Sequence, residues 1–151
     1  MKKALVINFL MLMVFSGCSK DDNDLNKSVT FQTIEKNLYS GILDEQYVLV
    51  DDPNSWEDLW DKTAVWTPDE LPEVDFTKSM VIAVYMGEKV SGGFEIEISE
   101  LRESEDTIEV VSKITIPESG QGVTTALSQP FHIIKINKTS KKIIFSTVQY
   151  Q

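Results

Sequence analysis

The sequence predicts a mainly β domain of the α+β class: an antiparallel sheet or sandwich-like fold of about seven strands with one short amphipathic helix. Three observations carry this. Phe94, Ile96 and Ile98 alternate with Glu95, Glu97 and Ser99, the period of a strand with one wet face. Met80 to Met86 is an unbroken apolar run, as expected of a strand covered on both faces. One short stretch abandons that period, with Trp56, Leu59 and Trp60 at i, i+3 and i+4 on one side of a helix.

Taken in order, Phe31–Ile34 and Gln46–Val50 are β-branched and aromatic runs separated by the turn-rich Tyr39-Ser40-Gly41, and read as the first strands. The helix follows Asp51-Asp52-Pro53, with Asn54 and Glu57, or Ser55 and Asp58, spaced as a capping box. Asp69 to Thr77, flanked by Pro68 and containing Pro72, is a loop that delivers the chain into the central strand. Ile108 and Val110, then Ile114 and Ile116, continue the alternation beyond a turn at Glu103–Asp106 and suggest a hairpin. Phe131–Ile136 and Lys142–Tyr150 are the last two strands, joined by a turn at Asn137–Ser140.

The amino-terminal segment has a different character. Met1-Lys2-Lys3, an apolar run from Ala4 to Phe15 and the small pair Ser16-Gly17 lead into Cys18, the chain's single cysteine. The apolar run is about twelve residues, short of the roughly 20 that span a bilayer, so residues 1–17 read as a signal peptide rather than a membrane anchor. An ordinary secretory signal followed by a stray thiol is the competing reading. The spacing resembles the lipobox of bacterial lipoproteins, which implies lipidation of Cys18 and attachment to the cell envelope. Ser19 after the cysteine then points to the outer membrane, and Lys20-Asp21-Asp22 resembles a surface-export signal. Residues 18–27 read as a lipidated, acidic tether and residues 28–151 as a single domain.

Composition narrows the functional classes. Loss of Lys2 and Lys3 takes the formal charge from −10 to −12, which argues against nucleic acid and against direct binding to an anionic bilayer. With the one cysteine committed to lipid, no internal disulfide is available and the fold rests on packing. His132 is the one histidine, on the side of its strand shared with Ile134 and Ile136, where a hydrogen-bonded wall residue is the more economical reading than a general base. No Gly-x-Ser-x-Gly elbow precedes a helix. Zinc would need histidine and thiolate ligands that the chain lacks, and Asp21–Asp24 lacks the glycine and distal glutamate of a calcium loop. No metal, cofactor or catalytic residue is therefore expected. Trp66, in a loop, is the one aromatic that suggests a glycan platform.

Three loops next to strands carry the functional expectation: Val90-Ser91-Gly92-Gly93-Phe94, Glu118-Ser119-Gly120-Gln121-Gly122 and Ser128-Gln129-Pro130-Phe131. Paired glycines let a partner's backbone approach without a side chain in the way. The stretches Gly87–Ile96 and Thr124–Ile136, with the helix around Trp56 and the entry Asp75-Phe76-Thr77, resemble the PrcB C-terminal domain family across roughly residues 54–137. That resemblance implies a non-catalytic bacterial lipoprotein that binds another envelope or secreted protein, as an accessory or stabilising subunit of a protease complex. A second likeness is to chagasin-type inhibitors of cysteine proteases, which present three loops at one end of a sandwich. Here the first loop lacks Asn-Pro-Thr-Thr, and Gln129 stands where Arg precedes the proline. The contact residues expected are Gly92, Gly93, Phe94, Gln121, Gly122, Pro130 and Phe131, with Phe94 and Phe131 equally suited to a core position.

Overall fold

The computed structural model describes residues 27–64, 70–120 and 122–150. The signal sequence, Cys18, the tether as far as residue 26, Trp66 and Gln121 lie outside the described residues. The elements are β1 (Lys27–Ser28), β2 (Gln32–Asn37), β3 (Glu45–Val50), α1 (Pro53–Thr63), β4 (Ser79–Met86), β5 (Glu95–Glu103), β6 (Thr107–Thr115), β7 (Phe131–Asn137) and β8 (Lys142–Tyr150). They form two four-stranded sheets, β1-β5-β6-β8 and β2-β7-β4-β3. The expected mainly β, sandwich-like architecture with one short helix is what the chain adopts.

Helix and sheets make three layers, and the sheet containing β4 is the middle one. Val81, Ala83 and Tyr85 of β4 join Phe131 and Ile133 of β7 in one apolar cluster with Trp56, Leu59 and Trp60 of the helix. Met80, Ile82, Val84 and Met86 face the other way, packing with Ile134 and Ile136 against Ile96, Ile98, Leu101, Ile108 and Val110 of the second sheet. The apolar run of β4 thus follows from burial on two sides by two different partners.

The helix begins earlier than the capping pattern suggested, by two residues against an Asn54 cap and three against Ser55. Asp52 is the cap, its Oδ1 accepting from the N–H groups of Asn54 and Ser55 at 3.0 Å each. Pro53 explains the shift, because its fixed φ suits the first helical position and its missing N–H is not needed there. Trp56 is anchored by Nε1 donating to the Pro72 carbonyl at 2.9 Å, and its ring packs 5.4 Å from that of Trp60.

The last two strands are not hydrogen-bonded neighbours. β7 sits between β2 and β4, whereas β8 crosses to the other sheet and pairs with β6 in parallel, from Thr107↔Lys142 to Thr115↔Tyr150. Lys27, expected in the tether, is already paired with Glu103 in β1.

His132 ties the sheets together. The register of β5 with β6 shifts between Ile98 and Glu100, and β1 pairs with β5 only at Arg102 and Glu103. The N–H of Ile98 on that uncovered edge is taken up by His132 Nδ1 at 2.9 Å. Because Nδ1 accepts, the ring proton sits on Nε2 and is donated to Thr33 Oγ1 at 2.9 Å. Both nitrogens are engaged and the residue is buried, which makes His132 a structural crosspiece. Burial first, then the nearby Lys36, pushes its pKa down to about 4, with Glu97 opposing.

Two outcomes are expected. Ile82→Ala, at a fully buried position between the sheets, should cost about 2–5 kcal/mol in urea unfolding with an unchanged denaturant slope. His132 is neutral when folded and takes up a proton near pH 6.5 when unfolded, so its contribution is complete above about pH 6.5 and is lost as pH falls towards 4. Stability should fall by roughly 3 kcal/mol across that window. His132→Phe should remove most of that slope while lowering stability at pH 7 by about 1–3 kcal/mol, because the Ile98 N–H loses its acceptor.

Candidate protein-binding site

Strand register fixes what stands at each end of the sandwich. At one end lie Asn37, Glu45, Met86 and Phe131 of the first sheet and Glu95, Thr115 and Tyr150 of the second. The segments 38–44, 87–94 and 116–130 therefore emerge together there. At the other end are β1 and the connections at 104–106 and 138–141.

The three segments are laced by backbone hydrogen bonds. Lys89 and Ser128 exchange both bonds, at 2.7 and 3.0 Å. Gly92 N–H donates to the Thr124 carbonyl at 3.0 Å, Gln129 N–H to Leu38 at 2.8 Å and Glu88 N–H to Leu43 at 2.9 Å. Ser128 Oγ adds a bond to the Ser91 carbonyl at 3.0 Å. The loop nearest β3, around Leu38 to Leu43, was read from sequence as a simple turn, and it proves to be part of the cluster.

Two glycines are required by geometry. Gly87 has φ +71°, and a Cβ there would lie 2.8 Å from both Glu45 N and Leu43 O, which are backbone atoms that cannot step aside. Gly93 has φ +86°, with Pro117 and Val123 side chains 3.0 and 3.1 Å from where a Cβ would sit. Gly92 would bring a Cβ to 2.6 Å from Thr124 Oγ1.

The expected contact residues divide. Gly93 and Gly122 are exposed, and Gly92 is half-buried beneath Thr124. Phe94 is half-buried and packs on the inter-sheet core. Phe131 is fully buried and stacks on Tyr85 with ring centroids 5.7 Å apart, so its ring faces the helix layer and not a partner. Pro130 is buried too, its carbonyl accepting from Met86 N–H at 2.9 Å. Phe131 opens β7 in the middle layer, where either direction of alternation leads inward, and Pro130 directly precedes it, held against the end of β4.

What the end presents instead is apolar. Val90 is 80% exposed, Leu43 60% and Leu127 51%, with Leu38, Tyr39 and Val123 also exposed on the same three segments. Val90 and Leu127 flank the Lys89–Ser128 pair and so stand next to each other. Exposed acids, Asp44, Glu45, Glu88 and Glu95, surround this group. The sequence signal was there, single large aliphatics beside glycines in otherwise polar loops, but their grouping depends on the fold. Such a cluster suits contact with another protein's surface. Among the described residues no three His, Cys, Asp or Glu side chains gather as a metal site.

No curated protein and no solved structure matches the chain. Residues 80–137, from β4 through β7 with both interlaced loops, match the family model described as PrcB C-terminal.

Proposed function

We propose that this chain is a non-catalytic, lipid-anchored binding module that serves as an accessory subunit of a cell-envelope protease complex and holds its partner at the loop end. The observation that carries the reading is the exposed aliphatic cluster built from three interlaced segments at a single end of the sandwich. The family match supports the protease association, because the PrcB resemblance implies an accessory role.

The chain's route through the fold supports the anchoring. Lys27 is paired at the end remote from the loops. The nine residues from Cys18 to Lys27 can reach at most about 30 Å when fully extended. A lipid on Cys18 would therefore hold the domain close to an envelope membrane, outer-membrane and surface-facing by the signal pattern. The acidic rim favours a partner with a basic margin and a salt-sensitive association rate. The inhibitor alternative is favoured by the convergence of the three loops and opposed by Phe131, the aromatic of the third, which is spent on the core. Stoichiometric block of a papain-like protease by the purified chain would revive it.

A photocrosslinking residue in place of Val90 should trap a component of a secreted or envelope protease complex on intact cells, and the same residue in place of Thr139 at the opposite end should not. Val90→Asp and Leu127→Asp should each weaken recovery of that partner at least about tenfold, a change of ~1.4 kcal/mol. Neither should lower the melting temperature appreciably, since both sites are on the surface. Equal trapping from both ends would remove the proposal's basis.

A further inference from the structure

Among the described residues four strands lie at sheet edges, and three of them are protected against pairing with another chain. β1 is two residues long. β2 has a register shift between Thr33 and Glu35 and carries Glu35 and Lys36, the lysine held by Glu97 at 2.8 Å. β3 is six residues long and bracketed by Asp44, Glu45, Asp51 and Asp52. β8 has charge only at its start, Lys141 and Lys142, and none of the other features. Its nine residues pair with β6 without a register shift, and Ile143 to Tyr150 contains no charge, proline or glycine. Ile144, Val148 and Tyr150 on its outer face are exposed. An unprotected edge of this kind is a template for another strand.

The side chains of β8 specify which strand fits. In an antiparallel pairing of β8 with itself, centred on Ser146, Ile144 meets Val148 of the other copy and Val148 meets Ile144. Lys142 meets Tyr150, whose ring already takes a lysine, Lys113, 4.3 Å from its centroid. On the inner face Phe145 meets Thr147 and Ile143 meets Gln149. Aliphatic opposes aliphatic, and no like charges oppose each other, in a chain whose formal charge of −10 otherwise keeps copies apart. We propose that β8 pairs antiparallel with β8 of a second copy, joining two four-stranded sheets into one of eight strands across a two-fold axis at Ser146. Such pairing consumes both open edges and closes as a dimer rather than extending into a fibre. It leaves each loop end free, the two facing opposite directions.

The test uses the full chain with Cys18→Ser, so that no other thiol is present. Cα atoms directly opposite in an antiparallel pair are about 4.5–5.5 Å apart, within disulfide range. Ser146→Cys should therefore yield a covalent dimer under mild oxidation, and Ser140→Cys, in the β7–β8 connection, should not. Adding Val148→Lys should cut the Ser146→Cys dimer at least about tenfold without changing the melting temperature. Adding Ile144→Glu as well should restore part of it, since each lysine then faces a glutamate of the other copy. Equal crosslinking from both cysteine positions, absence of rescue, or a monomer in sedimentation at every concentration up to about 1 mM would overturn the pairing. Capture of a different protein along β8 by the Ser146→Cys chain, with no self-dimer, would overturn it equally.

Discussion

The fold depends on one constraint: the inner strands of the sheet β2-β7-β4-β3 must be largely apolar on both faces because they are covered on both. β4 and β7 are its inner strands, and their side chains divide between the helix layer and the second sheet. Burying both directions of a strand removes the usual freedom to place polar residues on alternate positions. The single polar side chain that β7 sends between the sheets, His132, is there with both ring nitrogens satisfied. A buried polar group with matched partners adds specificity of sheet placement that aliphatic packing alone supplies weakly.

That rigid middle layer is what permits an elaborate loop end. β4 and β7 deliver Gly87 and Pro130 side by side, and the loops attached to them then bond to each other instead of to water. Gly87 lets the start of β3 pass within contact distance, which draws the 38–44 segment into the same group. The segments that carry the exposed aliphatic side chains at this end are therefore held by a hydrogen-bonded frame, so that little backbone ordering entropy would be lost on binding there.

Strand positions were legible in the sequence because alternation and continuous apolar runs report directly on how many faces are buried. Partnership was not. The Asn137–Ser140 connection looks like a hairpin turn, yet β8 leaves the sheet of β7 and runs parallel to β6, since a side-chain pattern records burial and carries no information about which neighbour supplies it. The same blindness explains Phe131: a residue next to a glycine-rich, proline-containing loop has the look of a contact, and only the double coverage of β7 shows that it points into the helix layer. The cap was missed by two residues or more because Asp52 lies before a proline, and Pro53 opens the helix. Val90 and Leu127 were visible as isolated aliphatics, but nothing in their separation by 36 intervening residues announced that one bridge would set them together.

The entry of the chain at one end and the grouped loops at the other also determine how the domain bears tension. If it is held on its amino-terminal side and gripped by its loops, the load runs along the strands. The pairs from Gln32↔Lys135 to Asn37↔Phe131 then resist in shear, all together, rather than unzipping one after another. Below them, Lys27 and Ser28 are held by the two pairs of β1, and Val29 by its N–H bond to the Leu101 carbonyl and its packing on the core. Loaded in that direction, the domain would act as a stiff link whose weakest attachment is the short β1 at its base.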